Sequence, residues 1–460
     1  MSCRFSTRRD FLRSSAVGAV AGVTAPYWIY AEGRGEESKN DRPLVGAIGV
    51  GGRGLHITKR AAQFGDIVAV CDADLGQAEK AKAALGGKAE IYQDYRRLLE
   101  RNDVDVIING TPDHWHTAIN IAACRSGKDL YAEKPLTLTI DEGKRLCRAV
   151  RETGRIVQVG TQQRSVPHFR TAVELVRGGA IGKLRLVSVI LPFWNTRGGP
   201  FATKPVPAEL DWDLYQGQAP WRQYCPERTH FTFRWFFEYA GGIITDWGQH
   251  HMDIAHWGMD VERSGPLTVE GKAYFPNEGR PGCEQCFNNP DRFVVKMTYP
   301  GDIDLWYFVA RDAKYLAEMG DLTPEQEAAL FAGLPDDLKA EQRNGILFVG
   351  DKGRIFVNRG GAYGKAVEEH YASQPAQEPP GFDDTLEHMR NFFDSVKSRQ
   401  QPITDVEVAH RTITACHLGN IALRLKRKIT WDAATEQIVG DDEANARQQR
   451  EQRAPYAIEG

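Results

Sequence analysis

The sequence predicts an α/β fold: an N-terminal Rossmann doubly wound parallel sheet, then a C-terminal α+β domain with an open, mainly antiparallel sheet. Three observations predict it. Short apolar runs alternate with amphipathic stretches from Leu44 to Gly160, the pattern of a parallel sheet with crossover helices. The first run leads into the turn Gly49-Val50-Gly51-Gly52-Arg53-Gly54, a GxGxxG match. Later runs, Lys183–Leu191 and Arg292–Tyr299, alternate or run apolar as strands do.

Leu44–Ile48 reads as a buried parallel strand, followed by an amphipathic helix to about Phe64. Asp66–Cys71 is a second strand and ends at Asp72. Asp94–Arg101 is helical, Val104–Asn109 a strand, His116–Ser126 helical and Lys128–Ala132 a strand. Thr139–Thr153 is helical and Arg155–Gly160 is the last strand of this half. Farther on, Gly345–Val357 fits the second domain, and residues 322–343 read as a polar helical insertion. Thr385–Val396 puts Leu386, Met389, Phe392 and Val396 on one helical face, a core pattern. Val406–Leu425 is similar, and Arg424–Lys428 closes it as a charged helix end.

The remainder of the chain is organised around these runs. Residues 1–31 read as a twin-arginine signal peptide: Arg4, Arg8, Arg9 and Arg13 make a basic start, Thr7–Leu12 spells TRRDFL, and a short Ala/Gly/Val-rich stretch follows. Export to the periplasm, or otherwise outside by the same route, is the expected destination. Residues 32–43 are a polar linker, 44–162 the NAD(P)-binding domain, 163–435 the substrate domain and 436–460 a C-terminal arm that packs on a partner or stays loose. The net charge of −3 argues against a basic nucleic-acid or membrane-surface protein. No later run of about 20 apolar residues predicts a membrane span. Eight cysteines in 460 residues are too few for a disulfide scaffold; Cys283-x-x-Cys286 is the one Cys motif, and a redox pair or local disulfide there stays open.

The chemistry concentrates at strand ends, where open α/β sheets bind ligands. Gly49 permits the tight turn, Gly51 and Gly52 let backbone approach a pyrophosphate, and Gly54 lets helix pack on strand. Asp72, 18 residues beyond Gly54, can accept from a ribose 2′-OH and favours NAD; Arg53 could reach a 2′-phosphate, which keeps NADP open. Thr111-Pro112-Asp113 and Glu133-Lys134-Pro135 lie just past strand ends and should line the same crevice. Asp246, His250 and Asp253 fall at i, i+4, i+7 on one expected helix, where a carboxylate one turn away can fix the tautomer of a histidine base. A divalent metal on that triad lacks further clustered ligands, so no metal is expected. The stretch Phe193–Phe237, with Trp194 and Arg234, suits a pocket that stacks on sugar faces and grips hydroxyls.

Together these residues resemble the Gfo/Idh/MocA family, named for glucose–fructose oxidoreductase and inositol dehydrogenase. The resemblance rests on the ordered elements Gly49–Gly54, Thr111–His116 (TPDHWH), Glu133–Pro135 (EKP), Gly160–Arg164 (GTQQR) and Gly241–Asp253, with Gly345–Val357 and His388–Pro402 fitting late in the chain. It implies that Lys134, Asp246 and His250 form the catalytic set. His250 would take a hydroxyl proton while hydride passes to the nicotinamide, Lys134 would polarise the same oxygen, and Asp246 would orient substrate or His250. It also implies that Thr111, His116, Glu133 and Gln162 meet the cofactor. Arg164, Trp194, Arg234 and His251 are the candidates for substrate contact.

The function expected is an exported oxidoreductase acting on the CH–OH of a sugar, polyol or glycoside, with tightly bound NAD recycled within the site. A net redox-neutral glycoside hydrolase or lyase working through a 3-keto intermediate is the alternative enzyme. A non-catalytic sugar-binding member is the alternative from outside enzymology. Expected partners are a small-molecule sugar or glycoside and further copies of the chain, as a dimer or tetramer, without nucleic acid.

Overall fold

The computed structural model describes residues 42–194, 197–309, 344–374 and 382–458. The signal segment, all but the end of the linker and the expected insertion at 322–343 lie outside the described residues. Pro43–Gly460 forms one compact unit.

Among the described residues, six strands make the first sheet: β1 (Leu44–Ile48), β2 (Asp66–Cys71), β3 (Glu90–Tyr92), β4 (Val106–Asn109), β5 (Asp129–Ala132) and β6 (Val157–Val159). Their order is 3-2-1-4-5-6 and every pairing is parallel. The chain order reverses beside β1, so a crevice opens at the carboxyl ends of β1 and β4. β1 and β2 begin and end where their apolar runs do. Helix α1 (Gly52–Ala61) leaves the glycine turn, α2 (Leu75–Ala84) and α3 (Tyr95–Leu99) follow, and α4 spans Asp113–Arg125. The expected start of α4 at His116 came three residues late. Pro112, whose ring fixes φ, stands just before the helix, and Asp113 occupies its first turn, where the helix dipole favours a carboxylate. Helix α5 (Ile140–Thr153) is capped by the Thr139 hydroxyl, which accepts from Glu142 N.

Among the described residues, nine strands make the second sheet, including β7 (Leu184–Leu191), β8 (Thr268–Tyr274), β9 (Arg292–Tyr299), β10 (Ile303–Val309), β11 (Gly345–Gly350) and β12 (Arg354–Asn358). Its pairings are antiparallel except β7 with β10. Alternation sends Leu305 and Tyr307 to one face of this sheet and Trp306 and Phe308 to the other, and both pairs are buried. Leu305 and Tyr307 belong to a core that is continuous with Trp115 and Ile119 of α4, so one apolar layer joins the two sheets. On the far side of the first sheet, Met389 and Phe392 of a helix at Asp384–Ser398 pack against Val45, Val106 and Tyr131.

Two tail expectations are corrected. Arg424 does not extend a solvated helix end: its guanidinium stacks 3.4 Å from the centre of the Phe237 ring. The C-terminal arm, as far as Ile458, is ordered against its own chain. Arg453 Nη1 lies 2.6 Å from Asp213 Oδ1, the Tyr456 hydroxyl donates to Asp213 Oδ2 at 2.8 Å, and the Tyr456 ring meets Trp115 edge-on at 5.7 Å. Cys283 and Cys286 form a disulfide. No helix among the described residues is long and apolar enough to cross a membrane.

Candidate active site

The glycine turn shows why these positions exclude side chains. Gly49 has φ +72°, and a Cβ there would sit 2.4 Å from Thr111 N. A Cβ on Gly54 would come 1.7 Å from Gly49 O, so helix and turn meet backbone to backbone. Gly51 and Gly52 differ: a Cβ on either meets nothing within 4 Å. The outer glycines serve the chain, and the inner pair leaves open room beside it. Helix α1 begins at Gly52 without a side-chain cap, so its first N–H groups point into that room. A cradle of this kind fits a pyrophosphate. At the end of β2, Asp72 accepts from Val50 N at 2.9 Å and from Asp74 N at 3.0 Å. Burial raises its carboxyl to about 7. Its remaining lone pairs fit a ribose hydroxyl.

The cradle opens into a cleft of about 560 Å³. Glu133 and Lys134 enter it from the end of β5. Glu133 Oε1 accepts from Arg53 Nε at 2.7 Å, tying the EKP element to the first turn of α1. Lys134 Nζ donates to Asp246 Oδ1 at 2.6 Å and to Asp246 O at 3.0 Å. Arg234 Nε approaches the same carboxylate oxygen at 3.4 Å. Burial alone would push the Asp246 carboxyl up, but Lys134 and Arg234 outweigh it and hold the group at about 2. His250 lines the same end of the cleft. Its burial, then Lys134 and Arg359, keep the imidazole far below its ordinary range, so it is neutral with a lone pair available. Its Nδ1 has no hydrogen-bond partner among the described residues.

Thr111, Gln162 and Trp194 also line the cleft. The Thr111 hydroxyl donates to Asn109 Oδ1 at 2.7 Å, and the buried Gln162 Oε1 has no partner among the described residues. Unpartnered buried polar atoms at Gln162 and His250, beside the open glycine pair, fit a ligand with its own donors and acceptors.

Residues 44–161 match the oxidoreductase family's NAD-binding Rossmann fold, and residues 193–278 with 346–458 match the family's C-terminal alpha/beta domain. The chain belongs to the Gfo/Idh/MocA oxidoreductase family. Residues 44–161 are therefore an NAD-binding Rossmann domain. Among similar proteins is the scyllo-inositol 2-dehydrogenase (NAD(+)) of Bacillus subtilis (strain 168), 29% identical over 291 residues, covering 63% of this chain and 66% of that one. The inositol 2-dehydrogenase/D-chiro-inositol 3-dehydrogenase of Lactiplantibacillus plantarum is 33% identical over 30% of this chain, which spans 41% of that relative. The chain thus spans less than two thirds of these relatives. The crystal structure of an aldose-aldose oxidoreductase from Caulobacter crescentus shares the fold, with a TM-score of 0.57 at 17% identity over 85% of this chain and 99% of that one.

Within this Gfo/Idh/MocA chain, four expectations change. His116 does not reach the cleft: its ring lies behind the wall, with Nδ1 2.5 Å from Pro135 O and Nε2 2.8 Å from Thr111 O. It braces two cleft-lining loops instead. Arg164 is buried and forms a two-pronged pair with Asp253, at 2.7 and 2.8 Å, plus a contact to Glu262 at 2.5 Å. His251 is buried between Gln163 Nε2 and Asn344 Oδ1, each at 3.3 Å. Both are framework residues rather than substrate contacts. Asp246 and Asp253 do not orient His250 as expected. A one-residue break at Trp247 separates Ile243–Asp246 from Gly248–Met259, which holds both His250 and Asp253. Asp253 pairs with Arg164, and Asp246 holds Lys134 rather than the imidazole.

Two cleft residues escaped the sequence reading. Arg359 lies one residue past β12 with no motif around it, and its guanidinium carbon stands 4.4 Å from the Trp247 ring centre. Trp247 itself sits in the gap between the two helices. Asp113, by contrast, lines the cleft as its place past a strand end predicts. Burial first, then Asp246, raises its carboxyl to about 7, and its Oδ2 has no partner among the described residues.

Proposed function

We propose that the chain oxidises a CH–OH group of a sugar or polyol with NAD held tightly in the glycine cradle, and that it works outside the cytoplasm. The observation that carries the reading is the convergence of the Lys134–Asp246 pair and neutral His250 at one end of a cleft whose other end is that cradle. The inositol dehydrogenase relatives support a polyol or sugar as the substrate class. The Arg8-Arg9 pair with its following Phe11-Leu12 supports export in folded form, after cofactor loading.

Gly51, Gly52 and Asp72 would hold the dinucleotide, and a bound nicotinamide would accept the hydride. The chain's own part is proton handling and orientation. Lys134 has three N–H donors and spends two on Asp246, so the third can bind a substrate oxygen. Asp246, ionised at every working pH, fixes where that ammonium points. The neutral His250 accepts the hydroxyl proton through a ring nitrogen as the C–H bond gives up its hydride. Trp194 and Trp247 give the sugar's C–H face apolar walls.

Purified mature protein should release stoichiometric nucleotide on heating, even after dialysis. A screen of monosaccharides, polyols and glycosides followed by near-ultraviolet nicotinamide absorbance should reveal a half-reaction. His250→Ala should slow that half-reaction by about 100-fold or more, the range for loss of a general base. An unchanged rate would discard the role given to His250. A compound that reduces and then reoxidises the nucleotide while losing its C1 substituent would move the assignment to the redox-neutral reaction.

A further inference from the structure

The cleft's cations are unevenly matched. Arg53 is paired with Glu133 at 2.7 Å, Lys134 with Asp246 at 2.6 Å, and Arg234 with the same Asp246 oxygen at 3.4 Å. Arg359 also lines the cleft but forms no ion pair or hydrogen bond with any of the described residues; its recorded contact is the stack on Trp247. The charges that face it are Asp384, Asp246 and Glu133, which attract, and Arg53, which repels. Glu133 and Asp246 are already engaged by other cations. Asp113 faces Lys134 and Arg234 instead. Arg359 is exposed at the cleft wall, so its guanidinium stands open to solvent and to an incoming ligand.

A guanidinium so placed is a vacant fork with five donors. Its position separates it from the cradle's work. The cradle offers backbone N–H groups at Gly52, whereas Arg359 stacks on Trp247, and Trp247 in turn lies 6.1 Å, ring to ring, from His250. The open fork therefore stands near the group that would take the substrate's proton.

We propose that Arg359 determines specificity, and that the substrate ring carries a carboxylate which this guanidinium binds: a sugar acid or carboxylated cyclitol rather than a neutral sugar. The proposal rests on the oxidoreductase reading above and narrows it. A fork with neither an ion pair nor a hydrogen bond among the described residues matches one carboxylate, whereas Arg53, Lys134 and Arg234 each already hold an acid of the chain. Stacking on Trp247 holds the fork flat, so little freedom is lost when the carboxylate arrives.

The test pairs each neutral sugar with its acid: D-glucose with D-glucuronate, and D-galactose with D-galacturonate. Nicotinamide absorbance reads turnover of the NAD-loaded protein, and calorimetric titration reads binding independently. The acids should bind at least about 10-fold tighter than their neutral partners. Arg359→Met should cut that acid preference at least 10-fold, with NAD affinity and melting temperature retained; Arg359→Lys, which keeps the charge but not the fork, should recover part of it. Arg359-dependent binding of the acids without nucleotide reduction would support the carboxylate site and count against the oxidoreductase reading. Turnover of neutral sugars alone would overturn the proposal while leaving that reading intact. Loss of NAD affinity in Arg359→Met with the acid preference unchanged would also overturn it, since Arg359 would then serve the cofactor. If neither series binds or reduces the nucleotide, both statements fall.

Discussion

Two carboxyls in one cleft are driven in opposite directions, and the difference is a matter of partners. Asp113 and Asp246 are both buried, but Asp246 meets Lys134 and Arg234 directly and sits at about 2, while Asp113 has an unpartnered Oδ2 and sits at about 7. Against an ordinary Asp near about 3.9, the folded chain keeps a proton on Asp113 that the unfolded chain releases. Its stabilising effect is complete below about pH 4 and is lost as pH rises toward 7. Asp246 has the reverse sign: its contribution is present above about pH 4 and is lost as pH falls toward 2. Asp113→Asn cannot ionise, so its urea midpoint should fall less than that of the wild type between pH 5 and 8, by the equivalent of roughly 1–3 kcal/mol. Parallel pH profiles for the two proteins would show that Asp113 is solvated and ordinary. Lys134 and Glu133 could be found from sequence because strand-end position alone predicts a crevice. Arg164 could not be placed, because its partner Asp253 lies 89 residues away and no local pattern encodes that pairing.

At the level of elements, the strands β1, β2 and β9 were legible to the residue: apolar runs bounded by turn residues place β1 and β2, and partial alternation of apolar and polar residues places β9. The break at Trp247 was not legible, because helical spacing continues through it in sequence. The glycine turn joins sequence, packing and function most directly, and its positions should separate by experiment. Gly54→Ala forces a Cβ to within 1.7 Å of Gly49 O, so turn and helix must part; the melting temperature and NAD affinity should both fall. Gly51→Ala meets nothing in the protein, so it should leave the melting temperature within about a degree of the wild type while weakening NAD binding at least about 10-fold by filling the pyrophosphate's approach. Calorimetric titration with NAD beside a thermal melt reads both. Equal loss of stability in the two variants would mean that the inner glycine also serves the chain.

The whole molecule ties its last residues to its first sheet. The glycine turn and the strand–helix alternation predicted an N-terminal nucleotide domain and a larger second domain, but not where the C-terminal arm goes, because an arm rich in Gln, Glu and Arg carries no periodicity to place it. The arm's arginines and tyrosine decide the matter through specific contacts. Arg450 stacks 3.7 Å from the Phe237 ring centre, Arg453 and Tyr456 grip Asp213, and Arg145 Nη1 donates to Ile458 O at 3.1 Å. The arm thereby covers the back of Trp115, whose indole N–H donates to Leu214 O at 3.0 Å and whose ring forms part of the cleft wall. Cutting the chain after Gln449 removes these contacts and exposes Trp115 from behind. The truncated protein should melt several degrees lower, consistent with the loss of a few kcal/mol expected for an uncovered aromatic and its ion pairs. It should also bind NAD more weakly, because the wall that Trp115 shapes loses its support. Asp213→Ala should reproduce only a small part of both effects, since that pair is largely exposed and such pairs contribute about 1 kcal/mol or less. A truncated protein with unchanged melting temperature and NAD affinity would show that the arm rests on the fold without holding the cleft in shape.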